Sequence, residues 1–311
     1  MSVWEAASAS TEEIEIQLTP AVSSRQRFWR RFKQQRLAVF CLFFLIVVAV
    51  VAVFAPWLAP ADPNEIDLGN TLQPPFGGKG LGTDQLGRDN ASRLIVASRV
   101  SVQAAVISVG IGVVLGVPAG LLAGYFGGWL DAAVMRVADA VLAFPPLILA
   151  IAVIAALGPG LVNAMIAIGI IFAPRFLRLA RAEVMSIREE TYIEAARSIG
   201  TPSYKILVRH VLPNALPPLI VQVSLSAGFA MLAEAGLSFL GLGVQVPQAS
   251  WGSMLAEAAK SINREWTLMI APGVCIVLIT LAFNLLGDGL RDSLGRESRG
   301  GDDDDEIVSE E

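Results

Sequence analysis

Six apolar runs, at about residues 37–58, 100–123, 134–157, 161–177, 215–240 and 267–289, decide what this chain can fold into, because each approaches the length of a bilayer-crossing helix. A helix rises about 1.5 Å per residue and the hydrocarbon core is about 30 Å thick, so about 20 apolar residues span it. In lipid every peptide group must find its partner inside its own segment. The expectation is an all-α polytopic membrane protein with six transmembrane helices, of which the fourth is shortest. Hydrophobic residues at 54%, charged residues at 16% and a mean hydropathy of +0.60 exclude an ordinary soluble domain.

The net charge of −5 misleads about partners. Asp302 to Asp305, Glu306, Glu310 and Glu311 supply the excess of acid, and without them the sign reverses. Such a run reads as a solvated tail. The cluster Arg25, Arg27, Arg30, Arg31, Lys33 and Arg36 beside the first run orients the chain, with Phe28, Trp29 and Phe32 suited to the lipid interface. Lys and Arg then lie on the cytoplasmic side, except for Lys79, Arg88, Arg93, Arg99, Lys260 and Arg264. Both termini face the cytoplasm in this reading. Glu5, Glu12, Glu13 and Glu15 do not suit the basic start of a cleavable signal, so the first run is expected to stay.

The chain divides accordingly into a cytoplasmic tail with its basic segment (1–36), a first transmembrane helix (37–58), an extracytoplasmic loop (59–99), a membrane core (100–290) carrying a cytoplasmic loop (185–213), and an acidic tail (291–311). The loop sequence PPFGGKGLGTDQLGRD is rich in turn formers. Lys79 lacks the glycine spacing and the following Ser or Thr of a phosphate loop, so the chain cannot itself power ATP chemistry.

Gly112, Gly116, Gly120 and Gly124 repeat every four residues and form one flat helix face. Close packing is the simpler reading; a gating surface bent at Pro118, or self-association, is the alternative. Charges inside spans are costly, so Arg136, Asp139 and Glu234 are candidate pathway or gate residues. Arg136 and Asp139, three apart on a helix, are expected to pair with each other. Glu234 has no local partner and is open to a water-filled pathway, an interhelical bond or a cap near a helix break. Cys41 and Cys275 lie in apolar runs, where packing explains them without a disulfide or metal. His210 has no paired acid or nucleophile, so no enzyme activity or metal site is expected. Outside the juxtamembrane cluster no basic and aromatic interleaving suggests nucleic acid.

The polar stretch EAARSIGTPSYKILVRHVLP, residues 194–213, interrupts the fourth and fifth runs and reads as a helix-turn-helix elbow. Tyr192, Ala195, Ala196 and Ile199 share one face, and Gly200 supplies the left-handed residue that ends the first helix. Thr201 reads as the next N-cap, Pro202 as the first helical residue and Pro213 as the stop.

Glu194-Ala195-Ala196, three residues, Gly200, nine residues, then His210-Val211-Leu212-Pro213 resembles the EAA motif in the cytoplasmic loop of bacterial ABC importer permeases; His210 stands where that pattern has Ile. GTDQLGRDNASRLIVASRVS, RVADAVLAFPPLILAI, AEAGLSFLGLGVQVPQASWG and GDGLRDSLGR are similar to the dipeptide, oligopeptide and nickel importer permeases, most to their C-type subunit. The resemblance covers most of residues 25–295.

It implies the type I ABC importer permease fold in the bacterial inner membrane, paired with a second homologous permease, two ABC ATPases holding ATP and Mg, and an extracytoplasmic substrate-binding protein. No cofactor is implied on this chain. Glu194, Ala195, Ala196, Arg197, Gly200, Lys205, Leu212 and Pro213 would then couple it to the ATPase. Di- or oligopeptides are the expected solute, a nickel chelate or other small solute the alternative. A channel, an ion-driven secondary transporter or a membrane-anchored scaffold are the readings of other classes.

Overall fold

The computed structural model describes residues 24–75 and 80–295, so the tail readings for residues 1–23 and 296–311 fall outside the described residues. It is a helical bundle. A short amphipathic helix α1 (Ser24–Gln34) leads into α2 (Arg36–Leu58), followed by a long helix α3 (Asn90–Phe126). Then come α4 (Gly128–Leu142), α5 (Pro146–Leu157), α6 (Leu161–Ile187) and the short α7 (Thr191–Ser198). Ser203–Ile206, a π turn at Leu207–Val211 and Leu212–Phe239 run on as one helix, α8. Helices α9 (Trp251–Ala259) and α10 (Ile270–Gly295) complete the described residues.

Among the described residues five helices are long and apolar enough to cross a bilayer by themselves, and α4 with α5 form a bent pair at 93°. This corrects the reading of 134–157 as one continuous span. Pro145 and Pro146 cause the break: each lacks an amide hydrogen, and each pushes the residue before it out of the helical region, so Pro145 is extended at ψ 131°. The end of α3 sits beside the end of α6, where Arg188 donates to the Gly124 carbonyl at 3.0 Å. The start of α6 therefore lies at the opposite end of the bundle, and α4 and α5 together make the passage between the two. With that bent pair counted as one span, the described residues hold six candidate crossings.

The second crossing starts earlier than expected. Asp89 accepts from the Ser92 amide at 2.8 Å and caps α3 there, turning residues 90–99 from loop into helix. At its other end Gly127, at φ +66°, closes the helix.

The most extensive interface is α3 against α6. Gly112, Gly116, Gly120 and Gly124 lie along it, and a Cβ on Gly116 would come within 2.3 Å of the Ala173 carbonyl oxygen. Phe172 and Phe176, both fully buried, fill the seam. This face is occupied within the chain.

Polar clamps add to it: Arg181 grips the Asp131 carboxylate with two nitrogens, one at 2.6 Å, and Arg178 meets Asp139 at 2.6 Å. The expected Arg136–Asp139 pair is thus replaced by an interhelical one. Arg178 reaches across from α6, and Arg136 remains exposed. At the same end Phe32 packs with Ala38, Cys41, Ala282 and Leu286, seating α1 against α2 and α10. Cys275 is only half-buried.

Candidate functional site

The elbow is built by helix-end chemistry. Gly200 adopts φ +78°, its amide donates to the Arg197 carbonyl at 2.9 Å, and Thr201 reaches back to the Ala196 carbonyl at 3.0 Å. These bonds satisfy carbonyls that the end of α7 leaves open. Thr201 does not cap the second helix: the N-cap is Pro202, and Ser203 is the first helical residue.

Pro213 does not stop that helix either. The Leu212 amide bonds to the Leu207 carbonyl across a π turn just ahead of it, and the wider turn makes room for the proline ring. The elbow is therefore rigidly continuous with α8, which sequence spacing did not reveal.

Burial splits the elbow in two. Ile193, Ile206 and Val211 are at most 1% exposed and join the main core, with Ala196 and Leu207 nearly as deep. Of the expected apolar face, only Ala196 turns inward. Tyr192 and Ala195 face out, and Ile199, Tyr204 and Val208 are exposed by 83%, 65% and 64%. Glu194 and Lys205 are exposed with no ion pair among the described residues.

Arg197 is engaged internally, its guanidinium 5.1 Å from the centre of the Tyr125 ring at the end of α3. Tyr192 accepts from Asn214 Nδ2 at 3.0 Å, tying α7 to α8. Leu212 is half-buried and Pro213 exposed. Together these residues give a fixed surface of aliphatic and aromatic side chains with a few free charges around it.

Glu234 does not face an open path. It is 1% exposed, and its Oε1 accepts from Ser238 Oγ at 2.6 Å. That serine also accepts from the Val244 amide at 3.2 Å, so the carboxylate organises the turn after α8.

At the end of the bundle far from the elbow lies a network that sequence reading missed. Arg88 Nε donates to Asp84 Oδ2 at 2.6 Å, and Glu257 Oε2 accepts from Arg88 at 2.9 Å and Arg93 at 3.1 Å. Both arginines are at most 4% exposed. The alternation of Asp84, Arg88, Asp89 and Arg93 carried the signal, although Glu257, their distant partner, cannot be found from spacing.

A helical bundle with five to six candidate membrane crossings and a polar elbow continuous with one of them defines a polytopic membrane protein. Residues 116–300 match the family described as binding-protein-dependent transport system inner membrane component, and the chain belongs to that family. Residues 23–75 match the N-terminal TM domain of oligopeptide transport permease C. The chain is therefore a multi-pass inner-membrane ABC importer permease of the dipeptide and oligopeptide C-subunit type.

It is 46% identical over 274 residues to the glutathione transport system permease protein GsiD of Shigella flexneri serotype 5b (strain 8401), covering 88% of this chain and 90% of that protein. GsiD of Escherichia coli O6:K15:H31 (strain 536 / UPEC) is 44% identical over the same shares. Among solved structures, an inward-facing form of the MetNI methionine ABC transporter aligns with a TM-score of 0.51 at 21% identity. It covers 64% of this chain and 95% of that one, and shares the type I fold.

Proposed function

We propose that this chain forms half of the translocation pathway of an ATP-driven importer of short peptides, with a second permease, two cytoplasmic ATPases carrying ATP and Mg, and an external binding protein as partners. The elbow is the ATPase seat. The observation that carries this is its outward face: Tyr192, Ile199, Tyr204 and Val208 stay exposed while the neighbouring Ile193, Ile206 and Val211 are buried. Exposed apolar clusters on an otherwise packed element mark partner surfaces.

Because α8 continues from the elbow without a break, force applied there tilts a membrane-crossing helix directly, as alternating access requires. Glu194 and Lys205 then meet opposite charges on the partner, Arg197 holds α7 against α3, and the glycine stripe stays a packing seam. The elbow end, with the start of α1 and the end of α10, faces the cytoplasm. Peptide as the solute is supported by the glutathione transport assignment of the relatives.

The test is ATP hydrolysis by the complex reconstituted with binding protein loaded with dipeptide, glutathione or a nickel chelate. Stimulation by a peptide form is expected. Stimulation by the chelate alone replaces the solute, and ATPases that fail to co-purify with this chain end the importer reading.

A further inference from the structure

At the end of the bundle far from the elbow a cleft of about 820 Å³ opens between α3, the start of α6 and the segment 245–249. Its lining includes Arg93, Arg99 and the amides Gln103, Asn163, Gln245 and Gln248, and contains no Asp or Glu. The two arginines differ. Arg93 is buried against Asp84 and Glu257, which consume its charge. Arg99 is exposed and forms no ion pair among the described residues.

Gln103 follows Arg99 by one helical turn, so both present donors on the same face of α3. Asn163 and Gln245 spend their NH₂ groups on backbone carbonyls at 2.9 to 3.1 Å. Gln103 and Gln248 have no such hydrogen bond among the described residues and keep theirs. The cleft is thus rich in free donors, carries one uncompensated cation and has the volume of a small-molecule site.

We infer that this cleft takes the free carboxylate of the incoming solute, with Arg99 as its charge partner and the Gln103 and Gln248 amides completing the hydrogen bonds. A guanidinium matches a carboxylate with two parallel donors, and such charge-assisted bonds outweigh neutral ones. The site deepens the importer reading and rests on it for the solute, while the binding chemistry is testable without transport. The competing source of an anion is a lipid phosphate.

The experiment is modification of Arg99 by phenylglyoxal, followed by mass spectrometry, on the assembled complex in neutral-lipid nanodiscs. Triglycine at about ten times its Kd is expected to slow the modification about tenfold, because only the unoccupied fraction of Arg99 reacts, and triglycine amide at the same concentration to leave it unchanged. Equal rates with acid, amide and no peptide overturn the proposal, as does protection that appears only with anionic lipid and ignores the peptide.

A second reading uses ATP-driven uptake. Arg99→Gln should bring the preference for triglycine over its amide down about tenfold, with Arg99→Lys between the two, since the charge persists but the fork is lost. An unchanged preference in Arg99→Gln also sinks it. Failure of the unmodified complex to import any peptide overturns the importer reading alone, because the modification result stands without transport.

Discussion

Gly200 is the residue on which the elbow angle depends, and its surroundings separate backbone from packing effects. No atom lies within 4 Å of a Cβ placed there, but φ is +78°, a region where a β-branched residue is strained. Gly200→Val should therefore cost about 1–2 kcal/mol locally without touching the core, and the chain should still reach the membrane. Coupling should fail, because the two halves of the elbow lose their fixed angle. Gly200→Asn, whose side chain tolerates the left-handed region, should keep most of it. ATPase stimulation at matched protein level, compared across the two variants, checks this; equal loss in both would mean that the glycine's size and not its conformation matters. Ile199→Asp probes the outward face in another way. At 83% exposure the change has little folding cost, yet a charge placed in an apolar contact should reduce ATPase co-purification about tenfold, a loss on the scale of a single interface anchor.

Helix packing sets the next scale, and α3 offers an internal control. Gly116 and Gly110 share that helix, but a Cβ at Gly116 would press on the Ala173 carbonyl and Phe176, whereas one at Gly110 meets nothing within 4 Å. Gly116→Ala should destabilise by about 1–3 kcal/mol through overpacking. Gly110→Ala should be neutral or slightly stabilising, since alanine is the better helix former. Thermal unfolding of the two in the same detergent decides it. The four-residue glycine period was legible because it is local, as were the ends of α2 and the left-handed turn at Gly200. The partners were not. Arg178 for Asp139, and Glu257 for Arg88 and Arg93, are supplied by helices distant in sequence, and period analysis carries no information about which helix faces which. Pro213 misled for a related reason: proline stops a helix only when no wider turn accommodates its ring, and the π turn at Leu207–Val211 leaves no mark in the apolar pattern. The Pro145-Pro146 break was readable in principle, and the hydropathy of the surrounding run hid it.

Seen whole, the bundle makes a claim about crossings that no single helix settles. The chain leaves α3 at the elbow end and begins α6 at the other, so α4 and α5, bent by 93°, have to cover the thickness between them. That count puts α1, the elbow and the end of α10 at one end of the molecule. It puts Arg99, Glu257 and the 245–249 segment at the other. A membrane-crossing α8 and a cytoplasmic elbow predict opposite accessibility for single cysteines placed at Ser198 and at Gln248, both exposed positions, after Cys41 and Cys275 are replaced by serine. In intact spheroplasts a membrane-impermeant maleimide should label Gln248→Cys and spare Ser198→Cys. Permeabilisation should then expose the latter. Labelling of both from outside would mean that α8, which lies between the two positions, does not cross, and labelling of Ser198→Cys alone would mean a bundle turned around, whose elbow could not meet a cytoplasmic ATPase. Labelling of neither before permeabilisation would place the whole far end inside, and the carboxylate site proposed around Arg99 would then not face arriving solute.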